Sequence, residues 1–135
     1  MARILVIDDD GAVRATTRLV LEREGHSVAL AQDGSSGLKA IQSDHFDLLI
    51  VDIFMPGMDG LETIGAIRKH KPTLPIIVMS GASFRKGPAP PPDFLWMATK
   101  LGANRSIYKP FRAQDLSDTV QACLAEAAAQ PTTGT

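Results

Sequence analysis

The chain has 135 residues, enough for one domain with a single core and too few for two ordinary domains. Hydrophobic residues make up 44% and charged residues 21%, the balance of a soluble globular protein. A formal net charge of −1, with no basic run to build a local patch, gives no reason to expect nucleic-acid or membrane-surface binding.

Met1-Ala2-Arg3 leads straight into the apolar run Ile4-Leu5-Val6-Ile7, so no signal peptide is expected ahead of it. That run ends in Asp8-Asp9. Val13, Thr17, Val20 and Leu21 then recur at helical spacing, on a helix that Asp10 can cap and Gly25 can end. Val28-Ala29-Leu30 is a short outer strand, and Leu38 and Ile41 mark a short second helix. Leu48-Leu49-Ile50-Val51 is a second unbroken apolar run and ends at Asp52. Leu61, Ile64 and Ile67 mark a helix that stops before Lys71-Pro72. Ile76-Ile77-Val78-Met79 ends at Ser80. Residues 87–93 form a proline-rich loop, and Phe94, Leu95, Met97 and Leu101 mark a fourth helix. Ile107-Tyr108 is a second outer strand, followed by Lys109. Leu116, Val120, Cys123 and Leu124 line a fifth, alanine-rich helix. The domain is expected over residues 1–126, with 127–135 a flexible tail.

Cys123 is the one cysteine, so no internal disulfide is possible, and no apolar stretch reaches the ~18 residues that span a bilayer. The expectation is a cytoplasmic protein.

Strands apolar on both faces belong inside a parallel sheet covered by helices on either side. Five repeats of strand then helix make a doubly wound α/β sheet, whose ligand sites lie outside the carboxyl ends of the strands. Asp8, Asp9, Asp52, Ser80 and Lys109 all fall at such ends, on one rim. Carboxylates gathered there repel: two unit charges 4 Å apart cost about 4 kcal/mol at an effective dielectric near 20. A cation must offset them, and an all-oxygen donor set favours Mg²⁺ or a similar hard ion. With Lys109 and the Ser80 hydroxyl opposite, a central carboxylate can act as nucleophile toward a phosphoryl group.

Asp52-Ile53-Phe54-Met55-Pro56-Gly57-Met58-Asp59-Gly60 resembles the phosphoacceptor loop of response-regulator receiver domains. The Asp8-Asp9 pair, Ser80, and Lys109-Pro110-Phe111 resemble that family's other marks, in the same order, over residues 2 to about 126. The resemblance implies a flavodoxin-like five-stranded sheet of order 2-1-3-4-5. It implies Asp52 as the phosphorylated residue, with Ser80 and Lys109 contacting the phosphoryl group. Mg²⁺ would be held by Asp9, Asp52 and the backbone carbonyl of Phe54, with Asp8 acting through water. A cis bond between Lys109 and Pro110 is also implied. The partners would be a sensor histidine kinase or histidine phosphotransfer protein and a target protein. The chain would be a stand-alone phosphoacceptor, not an enzyme, losing its phosphate slowly at most. Phe54 near the site is expected to hinder attacking water.

Two positions depart from the family. Ser106 stands where an aromatic switch residue is usual, with Tyr108 two residues on along the same strand face. The 87–93 loop is longer than the family usually has there.

Two other readings compete. Val6-Ile7-Asp8-Asp9-Asp10-Gly11 also resembles the first motif of haloacid-dehalogenase-type phosphatases, with Asp8 as nucleophile and Asp10 as acid/base. That reading leaves Asp52 and its loop unexplained and lacks a later acidic pair. The other is a receiver-like binding module without phosphorylation, suggested by Ser106. Asp10 reads more simply as a helix cap, Asp59-Gly60 as turn chemistry outside the site, and Cys123 as core packing. His26, His45 and His70 lack ligand spacing.

Overall fold

A computed structural model describes residues 2–53, 60–80 and 99–129. Five parallel strands, β1 (Arg3–Ile7), β2 (Ser27–Ala31), β3 (Leu48–Asp52), β4 (Ile76–Ser80) and β5 (Arg105–Tyr108), form one sheet in the order β2-β1-β3-β4-β5. Helices α1 (Gly11–Arg23), α2 (Gly34–Ser43) and α3 (Gly60–His70) follow β1, β2 and β3, and a C-terminal helix (Ala113–Ala129) follows β5. The sheet order is as the resemblance implies, and β2 and β5 lie at the edges as their short apolar runs predict.

Strand alternation divides the core. Leu5, Ile7, Leu49, Val51, Ile76 and Val78 point to one face and pack with Ile41, Ile64 and Ile67 from α2 and α3. Ile4, Val6, Leu48, Ile50, Ile77 and Met79 point to the other and meet Leu21, Leu116, Val120 and Cys123. Every residue of β3 and β4 is buried, which is why both read as unbroken apolar runs and not as alternating ones. In β5 only Ile107 is buried, and Ser106 and Tyr108 share the exposed face.

Asp10 caps α1, its side chain accepting from the backbone N–H groups of Ala12 (2.8 Å) and Val13 (3.3 Å). Gly25, at φ 90°, ends it: its N–H reaches the Glu22 carbonyl while His26 N–H reaches that of Leu21, the paired bonds of a left-handed helix stop. α1 is thereby placed with its first turn over the carboxyl end of β1.

Two boundaries differ from expectation. The C-terminal helix runs to Ala129, three alanines further than the predicted domain end, because a run of the best helix former extends a helix already anchored by Leu116 and Val120. Leu101, expected on the apolar face of the fourth helix, is 40% exposed and lies just beyond the helical residues Thr99 and Lys100. The remainder of that helix, the 87–93 loop and residues 130–135 lie outside the described residues.

Candidate functional site

The rim above the sheet is assembled by ladder bonds that continue just past the strands. Asp8 N–H donates to Ala31 O (3.1 Å), Ile53 N–H to Met79 O (3.0 Å) and Lys109 N–H to Ser80 O (2.7 Å). Together with the pairing of β1 to β3, these bonds hold the strand ends level, so residues far apart in sequence converge. The Lys109–Pro110 bond is cis, as the resemblance implies.

Asp8 is fully buried, Asp52 and Ser80 are 4% exposed, and Lys109 is 8% exposed. The Lys109 ammonium donates to Asp8 Oδ2 at 3.0 Å and to Asp52 Oδ2 at 3.1 Å, closing a buried ion-pair bridge across the middle of the sheet. Asp8 Oδ1 accepts the Asp10 N–H at 2.9 Å, and the Asp8 main-chain carbonyl accepts Arg14 Nη1 at 2.7 Å. Asp9 completes the cluster from the exposed side: Asp8, Asp9 and Asp52 each offer a carboxylate oxygen within 4.8 Å of the others. All three sequence-predicted acids are thus brought together with Lys109, and Ser80 ends the neighbouring strand. Phe54 and its carbonyl lie outside the described residues.

The carboxylates outnumber the ammonium that bridges them, and the imbalance shows in the proton affinities. Burial, then the charge of Asp8, raises the Asp9 pKa above its ordinary 3.8. For Lys109, burial alone would lower the pKa, but the carboxylates of Asp52 and Asp8 outweigh it and raise it above 10.5. The Lys109 bridge therefore contributes its full stabilisation below that value and loses it only in alkaline solution, as pH rises through the higher folded value.

Asp9 gives the same direction of pH dependence, starting from its ordinary 3.8. Its folded pKa lies above the unfolded one, so its ionised form is a cost to the metal-free fold. The cost is absent below the unfolded value and grows as pH rises through the folded one. Asp9→Asn should therefore raise the melting temperature in EDTA at neutral pH. A divalent cation should reverse the ranking, because the wild type gains more from binding it. Equal melting of the two proteins in EDTA would show that the acids do not strain the fold.

Two residues matter to this site that sequence reasoning passed over. Gly60, read there as turn chemistry, opens α3 with its N–H on the Ile53 carbonyl (3.0 Å). A Cβ on Gly60 would lie 2.4 Å from the Asp52 carbonyl oxygen and 2.4 Å from Ile53 Cα, so the helix can touch the Asp52 backbone only through a bare Cα. Arg14 was not singled out at all. A glycine at a helix start, where a capping side chain would serve better, was the available signal for the first; nothing in the spacing marked the second.

Asp10 remains a cap and is not among the clustered ligands. The histidines are engaged elsewhere: His26 with Ala2 N–H, His45 with Asp47, His70 with Gln42.

Asp52, buried and bridged by Lys109 to Asp8 with Asp9 beside them, thus stands on the carboxyl rim of a 2-1-3-4-5 sheet. The family model for the response regulator receiver domain matches residues 4–121, and the chain belongs to that family. Receiver domains are phosphoacceptor signalling domains of two-component systems that are phosphorylated by histidine kinases and bind Mg²⁺ at an acidic pocket. The chain is similar to the response regulator MprA of Mycolicibacterium vanbaalenii, 38% identical over 122 residues that cover 90% of this chain and 50% of that one. It thus spans about half the length of the curated relatives it matches. Among solved structures it is similar to a CheY-like receiver domain protein from Methanospirillum hungatei (30% identity, TM-score 0.85, covering 95% of this chain and 97% of that one). It is also similar to the chemotaxis protein CheY4 of Vibrio cholerae (29%, TM-score 0.81, covering 91% and 98%). Family membership sets aside the phosphatase reading of Asp8 and Asp10. No described helix is long and apolar enough to cross a membrane.

Proposed function

We propose that Asp52 is the phosphoacceptor, taking a phosphoryl group from a phosphohistidine on a sensor kinase or histidine phosphotransfer protein. The observation that carries this reading is the buried Asp52 carboxylate, 4% exposed and held 3.1 Å from the Lys109 ammonium beside Asp8 and Asp9. A carboxylate in that position has its charge offset but not removed, and its orientation is set by the strand end. In the transfer, an Asp52 oxygen forms a bond to phosphorus as the phosphorus–nitrogen bond of the donor breaks, and the electron pair leaves on the imidazole nitrogen. Lys109 and the Ser80 hydroxyl then face the phosphoryl oxygens.

The acidic cluster fits a hard divalent cation by its all-oxygen donors and its excess of negative charge. Asp9 and Asp52 would hold Mg²⁺ directly, with the Phe54 carbonyl, and Asp8 through water. The ion, when bound, neutralises charge on the phosphoryl oxygens during transfer.

A mostly apolar groove of about 190 Å³ is lined by Ala12, Val13, Thr16, Lys109, Pro110 and Phe111. Because Lys109 both lines this groove and bonds Asp52, the groove supports docking of the donor protein there. The unit that does this is the receiver domain, residues 1–126 with the helical extension to Ala129. The solved single-receiver chains that it covers almost end to end support stand-alone action through protein contact or onward relay.

The test is intact-protein mass after incubation with Mg²⁺ and a small acyl-phosphate donor. The wild type should gain one phosphoryl adduct that requires Mg²⁺, Asp52→Asn none, and Asp8→Asn much less. An adduct that survives Asp52→Asn, or that maps to Asp8, overturns the assignment.

A further inference from the structure

We propose that Arg14 is a positioning residue of the acidic pocket, a fixed brace that holds the Asp8–Asp9 corner in the geometry a divalent cation needs. The inference rests on the Mg²⁺ reading above.

Arg14 is the first residue of α1 whose N–H closes a helical bond, to Asp10 O at 3.0 Å. Helical side chains lean toward the N-terminus of their helix, so one long enough is carried back over the preceding turn. The Arg14 guanidinium follows that path and ends on the main-chain carbonyl of Asp8, with Nη1 to O at 2.7 Å. On the way it lies over Gly11: a Cβ there would sit 3.4 Å from Arg14 Nη2.

The placement runs against helix electrostatics. A cation near a helix N-terminus opposes the macrodipole, and the first turn of α1 carries no acid to offset it. The compensating negative charge lies outside the helix, in the cluster of Asp8, Asp9 and Asp52. The carbonyl that Arg14 holds belongs to the peptide joining Asp8 to Asp9. A bond to it restrains both carboxylates at once, one buried and one exposed. Asp8 is thereby fixed at three points: Lys109 on Oδ2, Asp10 N–H on Oδ1 and Arg14 on the backbone. Mutually repelling carboxylates spread apart unless something restrains them, and the brace opposes that spreading before the ion arrives.

The sign of the effect separates this role from a purely electrostatic one. A positive charge beside a cation site weakens cation binding, so removing it would tighten binding if charge were all that mattered. Loss of the brace does the reverse, and groups that orient metal ligands without touching the metal are typically worth about tenfold or more in affinity. Mg²⁺ dissociation constants should be measured by calorimetric titration at fixed ionic strength for wild type, Arg14→Met, Arg14→Gln and Arg14→Lys. Melting in EDTA would confirm that each is folded. The two neutral variants should bind Mg²⁺ about tenfold more weakly, and the lysine variant, which keeps a donor for the same carbonyl, should recover most of the loss. Neutral variants that bind Mg²⁺ as tightly as wild type or more tightly, or a lysine variant no better than methionine, overturn the proposal. A wild type that binds no Mg²⁺ would instead overturn the underlying reading of the pocket.

Discussion

Lys109→Met should lose about 3–5 kcal/mol of stability in Mg²⁺-free buffer at neutral pH, and most of that loss should return when Mg²⁺ is added. Methionine matches the lysine stem in volume, so no cavity opens; what disappears is the charge. Lys109 bridges Asp8 and Asp52, whose side chains are 0% and 5% exposed, at 3.0 and 3.1 Å. Without it two buried carboxylates face each other with no ammonium between them, and breaking one side of a buried pair leaves the other uncompensated. A divalent cation replaces the missing charge, which is why the effect should depend on Mg²⁺. Transfer should suffer separately. Removing a preorganised positive contact to the phosphoryl oxygens should slow adduct formation by about 10²-fold even at saturating Mg²⁺. Urea unfolding with and without Mg²⁺, beside the initial rate of adduct formation, measures both. Wild-type stability of Lys109→Met in EDTA would mean that the bridge adds nothing to the fold.

The second large effect is expected at a residue with no side chain. Gly60→Ala places a methyl 2.4 Å from the Asp52 carbonyl oxygen and from Ile53 Cα, both backbone atoms that cannot rotate away. Either α3 moves outward, pulling Thr63, Ile64 and Ile67 from the core, or the Asp52–Ile53 segment yields. Overpacking of this kind typically costs about 1–3 kcal/mol. The functional loss should exceed the stability loss, because a displacement of about 1 Å at a reacting group can cost about 10²-fold in rate. The comparison to make is Gly60→Ala against Gly65→Ala, since a Cβ on Gly65 meets nothing within 4 Å. The Gly65 variant should accept phosphate as wild type does and be about 0.5–1 kcal/mol more stable, since alanine is the better helix former at an open position. Equal behaviour of the two variants would remove the argument for close approach.

Much of the molecule is written locally. Leu48 to Val51 and Ile76 to Met79 are apolar at every position because both faces of their strands are covered, and that pattern alone specifies a central parallel strand. Asp10 before α1 and Gly25 after it mark their helix by capping chemistry that operates within a few residues. The cluster was legible for a related reason: in a doubly wound sheet every strand ends on the same rim, so an acid or lysine after an apolar run has its address in advance. Asp8, Asp9, Asp52 and Lys109 could be placed together before any distance was known.

What only the tertiary structure decided depends on distances between elements that sequence spacing does not encode. The sharing of Lys109 between Asp8 and Asp52 follows from how level the ends of β1, β3 and β5 stand, set by register across the whole sheet. The need for glycine at position 60 follows from how closely α3 approaches the end of β3. The brace from Arg14 requires both the cap that starts α1 at Gly11 and the seat of that helix above β1. Propensity, capping and hydrophobic period are properties of neighbours along the chain, whereas a contact a few ångströms long between separate elements exists only once the whole core has packed.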